Sequence, residues 1–312
     1  MRLVDRLLGG DVRSLARAIS LVEDDSGRAV EILQSVYSRT GSAAVVGVTG
    51  APGSGKSSLV DRLVAAYRAA EQRVGVIAVD PSSAFSGGAI LGDRVRMQGH
   101  ATDPGVFIRS MATRGNLGGL ARATNDAIDL LDAAGYDPII VETVGVGQDE
   151  VDIVRTADAV AVVLVPGMGD DIQAIKAGIL EIADLFVLNK ADRDGVDRLH
   201  ADLDSMLSLS SASGRAKPGI LRTVAVHDQG ITDLQRGIEE FLATCGASRR
   251  LARRRERAEA RFLSLLEQRV VTQIRERVFP GTSYSDMIDR IVRRQIDPYT
   301  AVRDIVDRLE VR

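Results

Sequence analysis

The chain has 312 residues, with 40 Lys and Arg against 43 Asp and Glu, a formal net charge of −3. Hydrophobic residues make up 45% and charged residues 27%, which is typical of a globular protein and too balanced to favour nucleic acid as a ligand. A single cysteine, Cys245, excludes an internal disulfide framework. We find no apolar run long enough for membrane insertion and no signal peptide, so we expect a cytoplasmic protein.

Two kinds of pattern follow one another along the chain. Residues 1–42 have the apolar spacing of helices and predict an N-terminal helical extension. From residue 43, short β-branched runs alternate with helical patterns, and most of these runs are apolar throughout, as in strands covered on both faces. This predicts an α/β domain over 43–246, with a mostly parallel central sheet flanked by helices. The predicted strands are 44–48, 74–79, 106–111, 138–143, 159–165, 184–189 and 221–226, and the predicted helices include 56–70, 118–134, 170–182 and 231–243.

Residues 247–312 predict a C-terminal helical extension, with a long helix over 248–279 and shorter ones over 284–295 and 298–309. An apolar stripe follows the long helix through Leu251, Ala258, Phe262, Leu265, Leu266, Ile274 and Val278. A helix that cannot bury such a stripe on its own chain often packs on a second copy, so we expect a homodimer. The basic stretch 249–257 is interpreted as a solvated helix face, because acidic residues resume at once.

A phosphate-binding loop lies between the first predicted strand and helix. It matches G-x-x-x-x-G-K-[ST] and comprises Gly50, Ala51, Pro52, Gly53, Ser54, Gly55, Lys56 and Ser57, followed by Ser58. The glycines let backbone N–H groups face a phosphate, and the helix N-terminus adds positive potential. We expect Lys56 to contact the β- and γ-phosphates and Ser57 to place its hydroxyl on magnesium. The loop therefore predicts a nucleoside triphosphate with Mg²⁺.

The base is indicated by Asn189, Lys190 and Asp192, which form an N-K-x-D motif after an apolar strand. A carboxylate at Asp192 can accept hydrogen bonds from the N1–H and the amino group of guanine, whereas adenine would leave it unpaired. The stem of Lys190 can cover the base. At the next strand end, Val224, Ala225 and Val226 are expected to bring a backbone N–H to the guanine O6. These patterns predict GTP and GDP as ligands.

Three carboxylates are candidates for the metal. Asp80 and Glu142 end predicted strands, and Asp93 lies in a glycine-rich segment. Because the carboxyl ends of parallel strands face the ligand crevice, these side chains can hold magnesium directly or through water.

Loops that respond to the γ-phosphate are predicted after these strands. Gly145 can offer its backbone N–H to that phosphate, and 85–92 and 145–147 are predicted switch loops. Asp170 and Lys176, in a third polar loop, are candidates for sensing the nucleotide. Val146 stands where Ras-like proteins place a glutamine that orients water, so we expect slow unassisted hydrolysis.

The segments 80–83, 92–97, 107–115 and 142–148 together resemble the MeaB family, whose human counterpart is the methylmalonic aciduria type A protein and whose bacterial members carry the labels ArgK or LAO/AO transport ATPase. The resemblance covers nearly the whole chain. It implies a homodimeric GTPase chaperone of an adenosylcobalamin-dependent acyl-CoA mutase, chiefly methylmalonyl-CoA mutase, that gates cofactor loading and protects the mutase. By motif it assigns roles to Lys56 and Ser57 (phosphate and magnesium), Asp80, Asp93 and Glu142 (metal), Asn189 and Asp192 (guanine), and Asp170 and Lys176 (extra switch loop).

Two other functions remain as alternatives. A metal-insertion GTPase of the nickel or hydrogenase maturation kind needs Cys and His ligands, and one cysteine with three scattered histidines supports it poorly. A transport-associated ATPase or kinase is suggested by the older labels, but the N-K-x-D motif argues against ATP. The partner could be a mutase of the methylmalonyl-CoA or of the isobutyryl-CoA type.

Overall fold

The computed structural model describes residues 2–24, 26–80, 98–100, 102–112, 119–143, 156–167, 183–210, 217–244, 246–278 and 283–310. The chain divides into two compact units, Met1–Leu251 and Ala252–Arg312. The predicted helix 170–182 and both predicted switch loops, 85–92 and 145–147, lie outside the described residues.

The first unit contains a seven-stranded sheet. Its strands are β1 (Val45–Gly50), β2 (Val74–Asp80), β3 (Val106–Ala112), β4 (Ile139–Thr143), β5 (Ala159–Leu164), β6 (Leu185–Asn189) and β7 (Gly219–Thr223). Their order across the sheet is β3-β2-β4-β1-β5-β6-β7, and each neighbouring pair is parallel. The carboxyl ends of all seven strands therefore lie along one edge, where ligands bind in sheets of this kind.

Helices cover both faces of this sheet. They are α1 (Arg2–Leu8), α2 (Val12–Glu23), α3 (Gly27–Val36), α4 (Lys56–Ala69), α5 (Gly119–Ala133), α6 (Val196–Ser210) and α7 (Ile231–Thr244). One core joins α1, α2, α3, α5 and α6 to the sheet through Leu7, Leu15, Leu131, Phe186 and Leu203. The other joins α4 and α7 to the opposite face through Leu63, Val76 and Ile238. Burial on both faces explains why most strands are apolar throughout.

The predicted architecture is confirmed, with differences at the ends of elements. β1 continues to Gly50 because that residue still pairs with Val163 of β5. β7 ends at Thr223, three residues before the predicted end, since the Val224 N–H turns away to the Gln229 carbonyl and a 3₁₀ turn follows over Ala225–His227. The helix α6 lies outside the predicted helices.

The C-terminal helices are α8 (Gly246–Val278), α9 (Ser283–Val292) and α10 (Pro298–Glu310), close to the predicted bounds. Several apolar side chains of α8 are exposed in the single chain, among them Phe262 at 63% and Leu266 at 46%. None of the helices in the described ranges is both long and apolar enough to cross a membrane.

A buried carboxylate fastens the segment before β1 to the end of α5. Asp132 accepts hydrogen bonds from the backbone N–H groups of Gly41, Ser42 and Ala43 and from the Ser42 hydroxyl. The residue is 9% exposed. The anchor sets where the chain enters β1, and hence the phosphate-binding loop that follows this strand.

We expect Asp132→Ala to lower the free energy of unfolding by about 2–4 kcal/mol, because the substitution leaves buried donors without an acceptor. Urea denaturation provides the measurement. The exposed carboxylate Glu240 offers a control, and Glu240→Ala should change stability by less than about 0.5 kcal/mol. Equal stability of the two variants would show that the Asp132 anchor contributes nothing.

Candidate nucleotide-binding site

The predicted phosphate-binding loop connects β1 to α4, and its glycines are required by close contacts. Gly50 has φ +143°, and a Cβ atom there would lie 2.2 Å from the Val163 carbonyl oxygen. Gly55 has φ +88°, and a Cβ atom would lie 2.5 Å from Nδ2 of Asn189. The loop can therefore pack between β5 and the N-K-x-D segment only with glycine at these two positions.

Lys56, the first residue of α4, turns its side chain back into the loop. The residue is 6% exposed, and Nζ donates hydrogen bonds to the carbonyls of Gly50 at 2.7 Å and Ala51 at 3.0 Å. The first N–H groups of a helix have no partner within the helix. The start of α4 therefore supplies further hydrogen-bond donors beside the Lys56 ammonium group. Together they form a positive cradle suited to phosphate oxygens.

Next to this cradle, two oxygen-bearing side chains meet. The Ser57 hydroxyl donates a hydrogen bond of 2.7 Å to Oε1 of Glu142, and these residues are 7% and 5% exposed. Directly after Glu142, the Thr143 hydroxyl donates to the Thr49 hydroxyl at 3.0 Å and joins the ends of β4 and β1. A hydroxyl and a carboxylate beside a phosphate cradle are the hard oxygen ligands that magnesium prefers, so the residues present fit this ion.

The structure does not describe the side chains of the other two predicted metal ligands, Asp80 and Asp93. The backbone of Asp80 ends β2, and Val79 pairs with Thr143, which places Asp80 at the same edge as Glu142. Its side chain and all of Asp93 lie outside the described part. Among the side chains within that part, no three His, Cys, Asp or Glu residues cluster as a metal site.

Asn189 connects the three segments of the site. Its Nδ2 donates to the Ser54 carbonyl at 2.9 Å, while Oδ1 accepts from the Thr223 hydroxyl at 3.1 Å and from the Ala225 N–H at 3.2 Å. The residue is 2% exposed. One buried amide thus holds the phosphate-binding loop, the end of β7 and the following turn together.

The rest of the N-K-x-D segment lies beside the same loop. Lys190, with φ +55°, extends its ammonium group to the Gly53 carbonyl at 2.8 Å. The Ala191 N–H donates to the Thr223 carbonyl at 3.0 Å, and the side chain of Asp192 is exposed. The structure therefore brings the predicted phosphate-binding and base-binding residues into one region.

Residues 224–226 follow β7 in a turn beside Asn189. Val224 and Ala225 are buried, and Val226 is exposed. Sequence analysis missed Thr223, whose hydroxyl positions Asn189, and the pair formed by Thr49 and Thr143. A threonine at the last or next-to-last position of a strand was the available signal, since these positions lie at the ligand edge.

Four of the predicted site residues have no described position. Asp93, Gly145, Asp170 and Lys176 all lie outside the described residues. The switch and sensing roles assigned to them therefore rest on the sequence.

Comparison with known proteins agrees with this geometry. The family model described as "Methylmalonyl Co-A mutase-associated GTPase MeaB" matches residues 15–278. A protein of Pyrococcus abyssi named as a GTPase is 50% identical over 98% of this chain and 96% of its own length. The methylmalonic aciduria type A homolog of Mus musculus, a mitochondrial protein, is 38% identical over 82% of this chain and 67% of its own.

A solved structure supports the same assignment. The crystal structure described as an LAO/AO transport system kinase superposes with a TM-score of 0.72 and 26% identity, over 99% of this chain and 97% of that one. The family match, the relatives named as GTPases and the joined phosphate and base loops lead to one conclusion. The chain belongs to the MeaB family of P-loop GTPases, which bind and hydrolyse guanine nucleotides.

Proposed function

We propose that this GTPase is a chaperone of an adenosylcobalamin-dependent acyl-CoA mutase, most directly methylmalonyl-CoA mutase, and that it gates cofactor loading and protects the mutase. The observation that carries the proposal is the match of residues 15–278 to a family described as associated with that mutase. The mouse relative, named for methylmalonic aciduria, supports it.

Different residues bind different parts of the nucleotide. Lys56 and the backbone N–H groups of the loop hold the β- and γ-phosphates, and Asn189 and Asp192 hold guanine. Ser57 and Glu142, with Asp80 and Asp93, would hold Mg²⁺, which neutralises phosphate charge when bound. Gly145 would donate its N–H to the γ-phosphate. Because Val146 replaces a residue that could orient water, hydrolysis by the chain alone is slow.

The coupling to the mutase is assigned to the loop that contains Asp170 and Lys176. We expect methylmalonyl-CoA mutase to accelerate GTP hydrolysis, and Lys176→Ala to remove most of this stimulation while GTP affinity stays within about twofold. The reason is that no sequence motif assigns this loop to the phosphate cradle or to base binding, yet it comes directly after a strand that ends at the ligand edge.

Steady-state hydrolysis with and without the mutase, together with equilibrium nucleotide binding, measures both effects. Lys217→Ala is the matched control, because Lys217 forms an ion pair with Asp204 on the surface. Full stimulation of Lys176→Ala would exclude the loop as the coupling element. Absence of stimulation in the native protein, by mutases of both the methylmalonyl-CoA and isobutyryl-CoA types, would contradict the chaperone proposal.

We also propose a homodimer formed through the C-terminal helices. The support is the set of exposed apolar side chains on α8, since a long exposed stripe is an interaction surface.

Truncation after Gly246 should give a monomer that still binds nucleotide. Light scattering measures the mass, and Phe262→Glu with Leu266→Glu should also give a monomer. Val30→Glu, at an exposed position on α3, should leave the dimer intact. A native protein that stays monomeric at high concentration would contradict the proposal.

A further inference from the structure

An open pocket of about 700 Å³ lies in the first unit, and its lining includes no residue of the phosphate-binding loop or of the N-K-x-D segment. Its lining comes from α1, α2 and the edge strand β3, and includes four arginines and two serines: Arg6, Arg13, Arg17, Arg109, Ser14 and Ser20. This volume is in the usual range of small-molecule sites. Four guanidinium groups therefore lie around one pocket, together with the apolar side chains of Leu3 and Ala16.

Two of these four positive charges are offset by neighbouring carboxylates. Arg6 Nη2 donates to Asp11 Oδ2 at 2.9 Å, and this hydrogen bond, together with hydrogen bonds from Ser14, lowers the pKa of Asp11 to about 2. Arg109 forms an ion pair with Glu23. Arg13 and Arg17 form no ion pair with any side chain among the described residues. The lining therefore has two positive charges in excess.

The arrangement of these groups favours an anion. Arg13 and Arg17 are four residues apart on α2, and like charges at this spacing repel each other on one helix face. Arg109 is held in place, because its Nη2 also donates to the Ser20 hydroxyl at 3.0 Å. An anion in the pocket would relieve the repulsion and would meet a guanidinium group that is already oriented.

We propose that this pocket binds a soluble small molecule through a phosphoryl or pyrophosphoryl group. Guanidinium forks match phosphoryl oxygens with paired hydrogen bonds. A phosphoryl group brings two negative charges on one centre and so balances the excess of two, which a single carboxylate does not. The site is separate from the phosphate-binding loop and can be filled while GDP occupies that loop.

The test uses the full-length protein with one equivalent of GDP to fill the phosphate-binding loop. Inorganic pyrophosphate is titrated into it by calorimetry in magnesium-free buffer. Arg13→Gln with Arg17→Gln should weaken pyrophosphate binding at least tenfold. The matched control is Arg28→Gln with Arg39→Gln, which removes two exposed arginines of the same helical region and should change binding less than twofold. GDP affinity, equal in all three proteins, establishes that the variants are folded.

Three calorimetric results would overturn the proposal: no pyrophosphate binding by the native protein, equal weakening by both double variants, or binding of citrate as tight as that of pyrophosphate. The first result excludes a site, the second indicates general electrostatic attraction, and the third indicates a carboxylate site. Sedimentation with vesicles that contain phosphatidic acid distinguishes a lipid headgroup as the source. Binding to vesicles that depends on Arg13 and Arg17 would overturn the assignment to a soluble molecule.

Discussion

Replacing Asp192 by Asn should change the base that this GTPase selects. The carboxylate accepts hydrogen bonds from two donors of guanine, and charge-assisted bonds contribute about 1.5–3 kcal/mol each. Loss of one of them, with an amide N–H facing the guanine amino group, predicts a decrease in GTP and GDP affinity of roughly 100-fold. Xanthine has a carbonyl where guanine has that amino group, so xanthine nucleotides should bind the variant more tightly than they bind the native protein.

Competition of GTP, XTP and ATP against a fluorescent GDP measures this change. Asp194→Asn is the matched control, because Asp194 is an exposed carboxylate two residues further along the same loop and should leave the preference for GTP unchanged. Because the side chain of Asp192 is exposed and makes no described contact with the loop, its substitution should leave the fold intact. Equal affinity of the native protein for ATP and GTP would contradict guanine recognition and favour the transport-associated ATPase.

Replacing Lys56 by Ala should abolish measurable turnover. Its ammonium group is held inside the loop by the carbonyls of Gly50 and Ala51, and we expect it to contact the phosphates between which the bond breaks. Unassisted GTPases turn over at roughly 10⁻⁴ to 10⁻² per second, so a decrease of even about 100-fold removes the signal. Phosphate release in single-turnover reactions measures the rate, with Lys217→Ala as the control.

Ser57→Ala tests the neighbouring part of the same site. The variant loses the hydroxyl that contacts Glu142, so GTP binding should lose most of its dependence on magnesium while the guanine preference stays. Nucleotide titrations with and without Mg²⁺ separate this defect from that of Lys56→Ala. A native turnover of many per second without a partner would contradict the expectation of slow hydrolysis.

Local patterns in the sequence predict most of the fold because most helices and strands are determined by residues that are close together in the chain. Apolar runs such as 159–164 are buried on both faces, and the glycines at 50 and 55 stand where a Cβ atom would collide. The end of β7 differs from its prediction because it depends on a hydrogen bond between Val224 and Gln229, which apolarity does not reveal. The contacts of Asn189 with Ser54 and Thr223 join segments far apart in sequence, so only the folded chain shows them.

The buried side-chain amide of Asn189 limits how the base preference of this protein can evolve. Because Asn189 contacts backbone and side-chain groups of the loop, the strand and the turn, any replacement there disturbs the site as a whole. Asp192 has no such contacts, and it can vary without loss of the scaffold. Ligand choice and architectural integrity therefore reside in two residues three positions apart. A lineage could change its nucleotide preference by substituting Asp192, while selection keeps Asn189 unchanged.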